Sequence, residues 1–281
     1  MVHNQAMPRL SERVALVTGA GQGIGRALAT KLAGEGACVV AADLDPERLE
    51  ETIAVITAAG GQVRPLVGDV AAPDFGERVT AMMLDEFGGI DILVNNAGYI
   101  WNTTIQNTTD EQWYAMIDVH ATATFRILRA AAPFLRQAAR EEQERGAPRH
   151  RKVVNVSSVS GTHGAATQLA YASAKAAVIG LTKTLAKEWG RYLVNVNCVA
   201  FGYIGTRLTQ GWEGEAATIE VHGRSLKVGF PQRMADAMEP AIPLGRKGSV
   251  EEAAGAIYLL CLPEADYISG QVLICDGAAG Q

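Results

Sequence analysis

A glycine-rich turn between an apolar strand and an Ala- and Leu-rich helix constrains the fold of this chain more than any other feature. The strand is predicted over Arg13–Thr18, and T-G-A-G-Q-G-I-G follows at 18–25, immediately before the helix. Glycines in such a turn allow a tight bend, close approach of the backbone to a pyrophosphate, and close packing of helix on strand. Because the helix amino terminus faces that anion, the sequence predicts a phosphate-binding turn at Gly19, Gly23 and Gly25.

The remaining sequence repeats this alternation of short apolar strands and amphipathic helices. Further strands are predicted at 37–42, 62–67, 90–94, 153–158, 193–199 and 271–274, and helices at 46–59, 73–87, 110–140, 169–190 and 250–260. Strands joined by crossover helices indicate an α/β fold with a parallel, doubly wound sheet of about seven strands and helices on both faces. We expect a frayed lead over residues 1–9, one dinucleotide-binding domain over 10–281, and an irregular substrate loop at about 200–248.

Composition and charge narrow the class of protein. The 281 residues are 48% hydrophobic, which is enough for a substantial core, yet no run approaches the ~18 apolar residues of a membrane span. The first twelve residues lack the apolar centre of a signal peptide, so we expect a cytoplasmic protein. A net charge of −5 with mixed signs argues against nucleic acid as a partner. The isolated cysteines have no metal-ligand spacing, so we expect buried thiols and no metal site; they are Cys38, Cys198, Cys261 and Cys275.

A strand, a loop and a helix over Val153–Lys175 carry three groups with chemistry. Tyr171 and Lys175 are four residues apart on the predicted helix, so their side chains share one face. A nearby ammonium favours the phenolate and is expected to lower the phenol pKa from ~10. Ser158, at the end of the preceding strand, brings a hydroxyl to the same place, a set that suits alcohol–carbonyl interconversion. The alternative is an ordinary surface pair on an amphipathic helix.

Asp43 bears on the choice of dinucleotide. It ends the second predicted strand, eighteen residues beyond Gly25. An acidic side chain there accepts hydrogen bonds from a ribose 2′-hydroxyl and repels a 2′-phosphate. Neither Gln22 nor Leu44 supplies a compensating cation. The sequence therefore predicts NAD, and not NADP, as the cofactor.

Taken together, these motifs resemble those of the short-chain dehydrogenase/reductase family, from about Arg9 to the end of the chain. The markers appear in order: the glycine-rich turn, Asp69 after the third strand, N-N-A-G at 95–98, and Y-A-S-A-K at 171–175. Ser158 precedes Tyr171 by thirteen residues. Several independent motifs at the right intervals make coincidence a poor explanation.

The resemblance implies a role for each matching position. Tyr171 would be the acid–base residue, Ser158 would bind the reacting oxygen, and Lys175 would also bind the nicotinamide ribose. The remaining cofactor residues would be Gln22 and Ile24 in the glycine turn, Asp69 and Val70 at the adenine, Asn96, Ala97 and Gly98 along the cleft, and Gly202, Ile204 and Thr206 near the nicotinamide. The C-terminal strand and helix resemble those through which family members form homodimers and homotetramers.

Two positions depart from the family pattern. His120 stands where many members have an asparagine that holds a water on the proton path to the lysine. Imidazole both accepts and donates near neutral pH, so His120 is a candidate fourth catalytic residue; the alternative is a helix histidine that only packs. Phe201 stands where family members usually have a proline, immediately before Gly202. Without the proline ring, the backbone φ at this position is no longer fixed, and the position is expected to lie beside the nicotinamide.

The substrate-selecting region is the least informative part of the sequence. Its aromatic, His and Gln side chains would form a mainly apolar pocket, although each is also a common core or interface residue. The candidates are His163, Gln168 and Tyr203, with Tyr99, Trp101, Trp212, His222 and Phe230. The charged run at 136–152 is expected to be a solvated helix extension and loop.

Two function classes remain open at this stage. The first is an NAD-dependent oxidoreductase acting on a secondary alcohol or ketone, with the nearest resemblance to 3-oxoacyl thioester reductases and 3-hydroxyacyl dehydrogenases. The second is a dinucleotide sensor or scaffold of the same fold without chemistry. The intact set of Ser158, Tyr171 and Lys175 favours the first, because a sensor needs no phenol–ammonium pair.

Overall fold

Seven parallel strands form the centre of the computed structural model, which describes residues 8–221 and 223–280. The strands are β1 Val14–Thr18, β2 Cys38–Asp43, β3 Gln62–Val67, β4 Ile92–Asn95, β5 Arg151–Ser158, β6 Val194–Phe201 and β11 Val272–Cys275. Their order is β3-β2-β1-β4-β5-β6-β11. The doubly wound parallel sheet predicted from the sequence is therefore confirmed. The order reverses between β1 and β4, and at such a switch point ligands bind beyond the carboxyl ends of the strands.

Helices cover both faces of the sheet. They are α1 Gly23–Gly34, α2 Pro46–Ala58, α3 Phe75–Phe87, α4 Asp110–Ile117, α5 Ala123–Glu144, α6 Val159–His163, α7 Leu169–Trp189, α8 Gln232–Met238 and α9 Val250–Cys261. One core layer packs α1 and α9 on the sheet through residues such as Leu28, Leu32 and Ile257. The opposite layer includes Phe75 and Met83 of α3. Since both faces are covered, β5 and β6 are buried along their whole length.

The long helix predicted at 110–140 is interrupted. Between α4 and α5, residues Asp118–Thr122 form one π-helical turn, and α5 then continues to Glu144. Such a turn inserts one extra residue into the helix and often lies at a functional site. His120 lies in the middle of this turn.

The expectation of an irregular stretch at 200–248 is wrong for part of that region. An antiparallel hairpin is formed there by β8 Ala217–Val221 and β9 Arg224–Val228, between the short strands β7 Gly211–Trp212 and β10 Phe230–Pro231. Apolar and polar residues alternate along both hairpin strands, so one face of the hairpin is buried.

The expectation of a solvated charged run is also wrong at its C-terminal end. Arg151 begins β5 and donates from its two terminal nitrogens to Glu142 at 2.9 and 2.6 Å, and from Nε to the Ile90 carbonyl at 3.0 Å. Both partners of this ion pair are buried. Burial follows from the place of β5 in the middle of the sheet, which charge patterning along the sequence does not show.

The sequence predicts no membrane span, no metal site and no disulfide bond. Within the described ranges, no helix is both long and apolar enough to span a bilayer, and no three acidic, His or Cys side chains are grouped as metal ligands. All four cysteines are free thiols. Residues 1–7 of the predicted lead, as well as His222 and Gln281, lie outside the described residues.

Candidate active site

A cavity of about 1370 Å³ runs along the carboxyl edge of the sheet. The glycine-rich turn and Asp43 line one end, and Ser158, Tyr171 and Lys175 line the other. Every predicted catalytic and cofactor residue lines this cavity, and so do the substrate candidates Tyr99, Gln168, Tyr203 and Phe230, whereas His163, Trp101 and Trp212 do not. The fold therefore brings together groups that lie up to 187 residues apart, from Gly19 to Thr206.

The glycine-rich turn packs directly against the N-N-A-G segment. Gly19 has φ +67°, and a Cβ added there would lie 2.9 Å from the Ala97 Cα; one added at Gly25 would overlap the Gly19 carbonyl oxygen. The side chain of Asn96 donates to the Thr18 carbonyl at 2.9 Å. Only glycine fits at these two positions, so the backbone forms an open cradle in front of the amino terminus of α1. This geometry fits the pyrophosphate of a dinucleotide.

Asp43 is held rigidly at the adenosine end of the cavity. Its two carboxylate oxygens accept hydrogen bonds from the backbone N–H groups of Gly21 at 2.7 Å and Asp45 at 3.0 Å. Arg48 also lines this end of the cavity; as a cation near Asp43 it was not expected from the sequence, where only positions 22 and 44 were considered. The available signal was its place in the first turns of α2, which starts at the same edge of the sheet.

Tyr171 and Lys175 are both buried, with 9% and 4% exposed, so the alternative of a solvated surface pair does not describe them. The Lys175 ammonium donates to the Val156 carbonyl at 2.8 Å and lies 5.7 Å from the Tyr171 ring centroid. Ser158 ends β5, and its hydroxyl caps α6 by accepting from the Ser160 N–H at 3.1 Å. The phenol, the ammonium and this hydroxyl thus line one part of the cavity.

Burial dominates the acidity of both groups. It raises the pKa of Tyr171 to about 12, against a smaller lowering by a hydrogen bond with Ser158. The net phenol pKa therefore lies above ~10, and not below it as expected from the neighbouring ammonium. Burial also lowers the pKa of Lys175 to about 8. At neutral pH the phenol carries its proton, and the amine is largely charged.

His120 is completely enclosed beside Tyr171. The two rings meet edge to face, with centroids 5.2 Å apart. Nε2 lies 2.9 Å from the Tyr99 carbonyl, which can only accept, so Nε2 carries the hydrogen. Nδ1 then presents a lone pair, and it has no partner among the described residues. Burial first, and the Lys175 charge second, lower the pKa of His120 well below its usual 6.5, so the ring is neutral near pH 7.

The candidate substrate residues divide into two groups. Tyr203 and Gln168 line the cavity; Tyr203 donates to the Thr209 carbonyl at 3.2 Å, and Gln168 accepts from Ser160 at 2.7 Å. His163 is exposed at the end of α6 and lies against the C-terminal turn near Gly280.

The hairpin closes the substrate side of the cavity. Its buried face consists of Ile219, Val221, Leu226 and Val228, which form one apolar cluster with Tyr99, Met116 and Tyr171. Arg224 pairs with Glu111 of α4 and lies 6.0 Å from the Trp101 ring centroid, so it ties the hairpin to the opposite wall. The sequence signal was present in the alternation T-I-E-V and R-S-L-K-V around Gly223, which has φ +72°.

Comparison with known proteins gives consistent matches along the chain. The family model for short chain dehydrogenases matches residues 13–216. A 3-oxoacyl-[acyl-carrier-protein] reductase of Thermotoga maritima is 35% identical over 269 residues, which cover 96% of this chain and 98% of the relative. The human (3R)-3-hydroxyacyl-CoA dehydrogenase is 34% identical over 275 residues, 95% of each chain.

Solved structures agree with the sequence matches. Levodione reductase superposes with a TM-score of 0.83 at 28% identity, over 97% of this chain and 99% of that one. A short-chain type dehydrogenase/reductase from Mycobacterium marinum gives a TM-score of 0.81 at 29% identity, over 97% of both chains. Together with the cradle for a dinucleotide, these matches show that the chain belongs to the short-chain dehydrogenase/reductase family, whose members are oxidoreductases that use nicotinamide dinucleotides.

Proposed function

We propose that this protein is an NAD(H)-dependent oxidoreductase that interconverts a secondary alcohol and a ketone, with Tyr171 as the acid–base residue. The observation that carries the proposal is the convergence of Ser158, Tyr171 and Lys175 in the same cavity as the glycine-rich cradle and Asp43. The bound nicotinamide would supply or accept the hydride. All other chemistry belongs to side chains of this protein.

In the reductive direction, the substrate oxygen needs a proton and orientation. The neutral phenol of Tyr171 donates the proton, and its pKa of about 12 keeps it in the donating form at neutral pH. The Ser158 hydroxyl, which lines the same part of the cavity, would orient the same oxygen. Lys175 lies behind the phenol as a largely protonated amine that stabilises the negative charge left on Tyr171.

His120 would complete the path by which Tyr171 regains its proton. Its Nδ1 lone pair is enclosed and unsatisfied in the described protein, which suits an acceptor for an ordered water. Because Nε2 already donates to Tyr99, the imidazole would hold that water in place and would not itself carry the proton through. This differs from the expectation of a histidine that itself both accepts and donates the proton near neutral pH.

Asp43 supports NAD as the cofactor. Its carboxylate is oriented by two backbone N–H donors at the adenosine end of the cavity, where a ribose 2′-hydroxyl donates well and a 2′-phosphate is repelled. Free-protein titration should give NADH binding at least about tenfold tighter than NADPH. Equal affinities would refute this assignment.

The substrate class is suggested by the relatives and by the pocket. The two sequence relatives described above are named for 3-oxoacyl and 3-hydroxyacyl thioester chemistry, and the hairpin gives this pocket an apolar wall. We therefore place 3-oxoacyl and 3-hydroxyacyl thioesters first among candidate substrates, ahead of simple secondary alcohols. The roles of Gln168 and Tyr203 at the substrate, and of His163, stay predictions.

A homodimer or homotetramer is the proposed assembly, and the cytoplasm the proposed location. β11 is an edge strand with partly exposed Leu273 and Ile274, and Tyr267 beside it is fully exposed. Apolar edge surface of this kind is typical of subunit contacts. Light scattering during size exclusion tests the assembly, and a monomer at micromolar concentration would contradict it.

A panel of 3-oxoacyl thioesters and secondary alcohols, assayed with NAD(H) and NADP(H), tests the proposed function. Tyr171→Phe should lower turnover by about 10²–10⁴-fold and leave NADH binding intact, whereas the matched variant at exposed Tyr114, Tyr114→Phe, should behave as wild type. NADH binding without turnover of any panel member would favour the sensor alternative. A loss below tenfold in Tyr171→Phe would show that another group donates the proton.

A further inference from the structure

Two oppositely charged side chains flank the glycine-rich turn at the adenosine end of the cavity. A Cβ added at Gly21 would lie 2.9 Å from an Asp43 carboxylate oxygen and 3.2 Å from the Arg48 Cβ. Arg48 is anchored there because its backbone carbonyl accepts from Arg26 at 3.1 Å, and Arg26 also donates to the Gly21 carbonyl at 2.6 Å. A cation and an anion thus stand on either side of one glycine.

The Arg48 guanidinium is directed back across the turn. It donates to the side-chain oxygen of Gln22, and its Nε lies 3.0 Å from an Asp45 carboxylate oxygen. Its side chain is 32% exposed and that of Asp45 is 43% exposed. Ion pairs this exposed contribute little stability, so the guanidinium can exchange Asp45 for a stronger anion at small cost.

A phosphate would be such an anion. Guanidinium offers a planar set of donors that binds phosphate oxygens in pairs, and these charge-assisted bonds are stronger than neutral ones. What opposes a phosphate here is Asp43, whose carboxylate is held by two backbone N–H groups and cannot turn away. Asp45 also lines this end of the cavity, but its carboxylate is partly exposed and therefore screened by solvent, so selectivity depends mainly on the attraction of Arg48 against the repulsion of Asp43.

We propose that Arg48 is a resident 2′-phosphate-binding residue whose effect is masked by Asp43, so that removal of this one negative charge opens the site to NADP. The inference rests on the proposed NAD preference. It predicts that no new cation has to be introduced to change the cofactor, since Arg48 already stands beside the ribose pocket. It also gives Gln22 a role, as the acceptor that keeps the guanidinium at the turn.

Calorimetric titration with 5′-AMP and with adenosine 2′,5′-bisphosphate tests the inference on the adenosine half alone, without turnover. The variants are Asp43→Asn, Arg48→Gln and the double variant, with Arg64→Gln as control. Arg64 is an equally charged residue that pairs with Glu86 on the surface and does not line the cavity.

Asp43→Asn should improve binding of the bisphosphate relative to 5′-AMP by at least about tenfold, and Arg48→Gln in that background should abolish most of the gain. Raised salt should diminish the gain, because the charges are near the surface. Arg64→Gln should leave the affinity for both ligands unchanged. A double variant that binds the bisphosphate as well as Asp43→Asn would overturn the inference.

Two further outcomes separate this inference from the proposed function. If Asp43→Asn does not fold, Arg48→Gln alone decides: in the wild-type background it should weaken the bisphosphate more than 5′-AMP, and equal effects would overturn the inference. If wild-type protein binds neither nucleotide, the adenosine site itself is misassigned. The proposed cofactor and the proposed role of Arg48 would then both be refuted. Binding of both nucleotides that is unchanged by Arg48→Gln would refute the inference alone and leave the proposed cofactor standing.

Discussion

Replacement of His120 by leucine removes both roles that its ring nitrogens offer, whereas replacement by asparagine keeps a donor and an acceptor. Nε2 donates to the Tyr99 carbonyl, and Nδ1 presents an unpartnered lone pair in the enclosed space beside Tyr171. Leucine is similar in bulk and has neither atom. Asparagine, the residue usual at this position in the family, is shorter but still offers a donor and an acceptor. We therefore expect His120→Leu to be impaired and His120→Asn to keep most activity.

The size of the stability effect follows from the lost hydrogen bond. In His120→Leu the buried Tyr99 carbonyl loses its imidazole donor, which costs about 1–3 kcal/mol of folding free energy. For a domain of this size, each kcal/mol lowers the melting temperature by about 2–4 °C. The leucine variant should therefore melt earlier than wild type even if its activity were unchanged.

The activity effect has to be measured where both variants are folded. At 25 °C, His120→Leu should lower kcat by about tenfold or more with little change in KM, since the loss lies in proton supply and not in substrate contact. The wild-type rate profile should show no acidic limb near pH 6.5, because burial holds the pKa of His120 well below that value. A leucine variant with normal kcat and only a lower melting temperature would show that His120 is structural. If the wild-type profile does have an acidic limb near pH 6.5 and His120→Leu removes it, His120 itself relays the proton.

Three further predictions follow from buried or bridging charges. Glu142→Ala leaves the buried Arg151 cation without its carboxylate and should cost about 3–5 kcal/mol in a denaturant titration; a loss below 1 kcal/mol would contradict this. Arg224→Gln releases the hairpin from the opposite wall and should raise KM for the ketone with NADH affinity unchanged, whereas altered NADH affinity alone would place the hairpin at the cofactor. The rate of ketone reduction should be constant between pH 6 and 7.5 and should fall above about pH 8. Tyr171 stays protonated over this range, whereas Lys175, with its pKa lowered to about 8, loses its charge. A rate that rises through pH 8 would refute this assignment.

Much of the fold was predictable because the sequence signal for it is local. Each strand is a short apolar run between turn residues, and the crossover helices leave only a parallel sheet as the arrangement. The π-helical turn was not predictable, since periodicity over 110–140 cannot register one extra residue in a helix. Burial of Arg151 also escaped, because it depends on the strand lying between two neighbours.

Most of the predicted site residues lie together because each motif directly follows a strand, and the strands of a parallel sheet all end at the same edge. His163 is different: it lies at the exposed end of α6, five residues beyond Ser158, and does not line the cavity. Arg48 was missed because only the positions next to the turn were considered, although the first turns of α2 also reach the adenosine end.

The acidity of Tyr171 could not be predicted from the motifs, because it depends on burial by residues far along the chain. Its pKa is raised because the phenol is buried, and part of that enclosure comes from the hairpin residues Ile219 and Val221, which lie about fifty residues further along the chain. A neutral phenol is the form that gives a proton to a ketone, whereas alcohol oxidation needs the phenolate. At neutral pH a pKa near 12 disfavours that phenolate by several powers of ten. The hairpin that shapes the substrate wall therefore also helps to set the acidity of the phenol, and any group that stabilises the phenolate has to act against that burial.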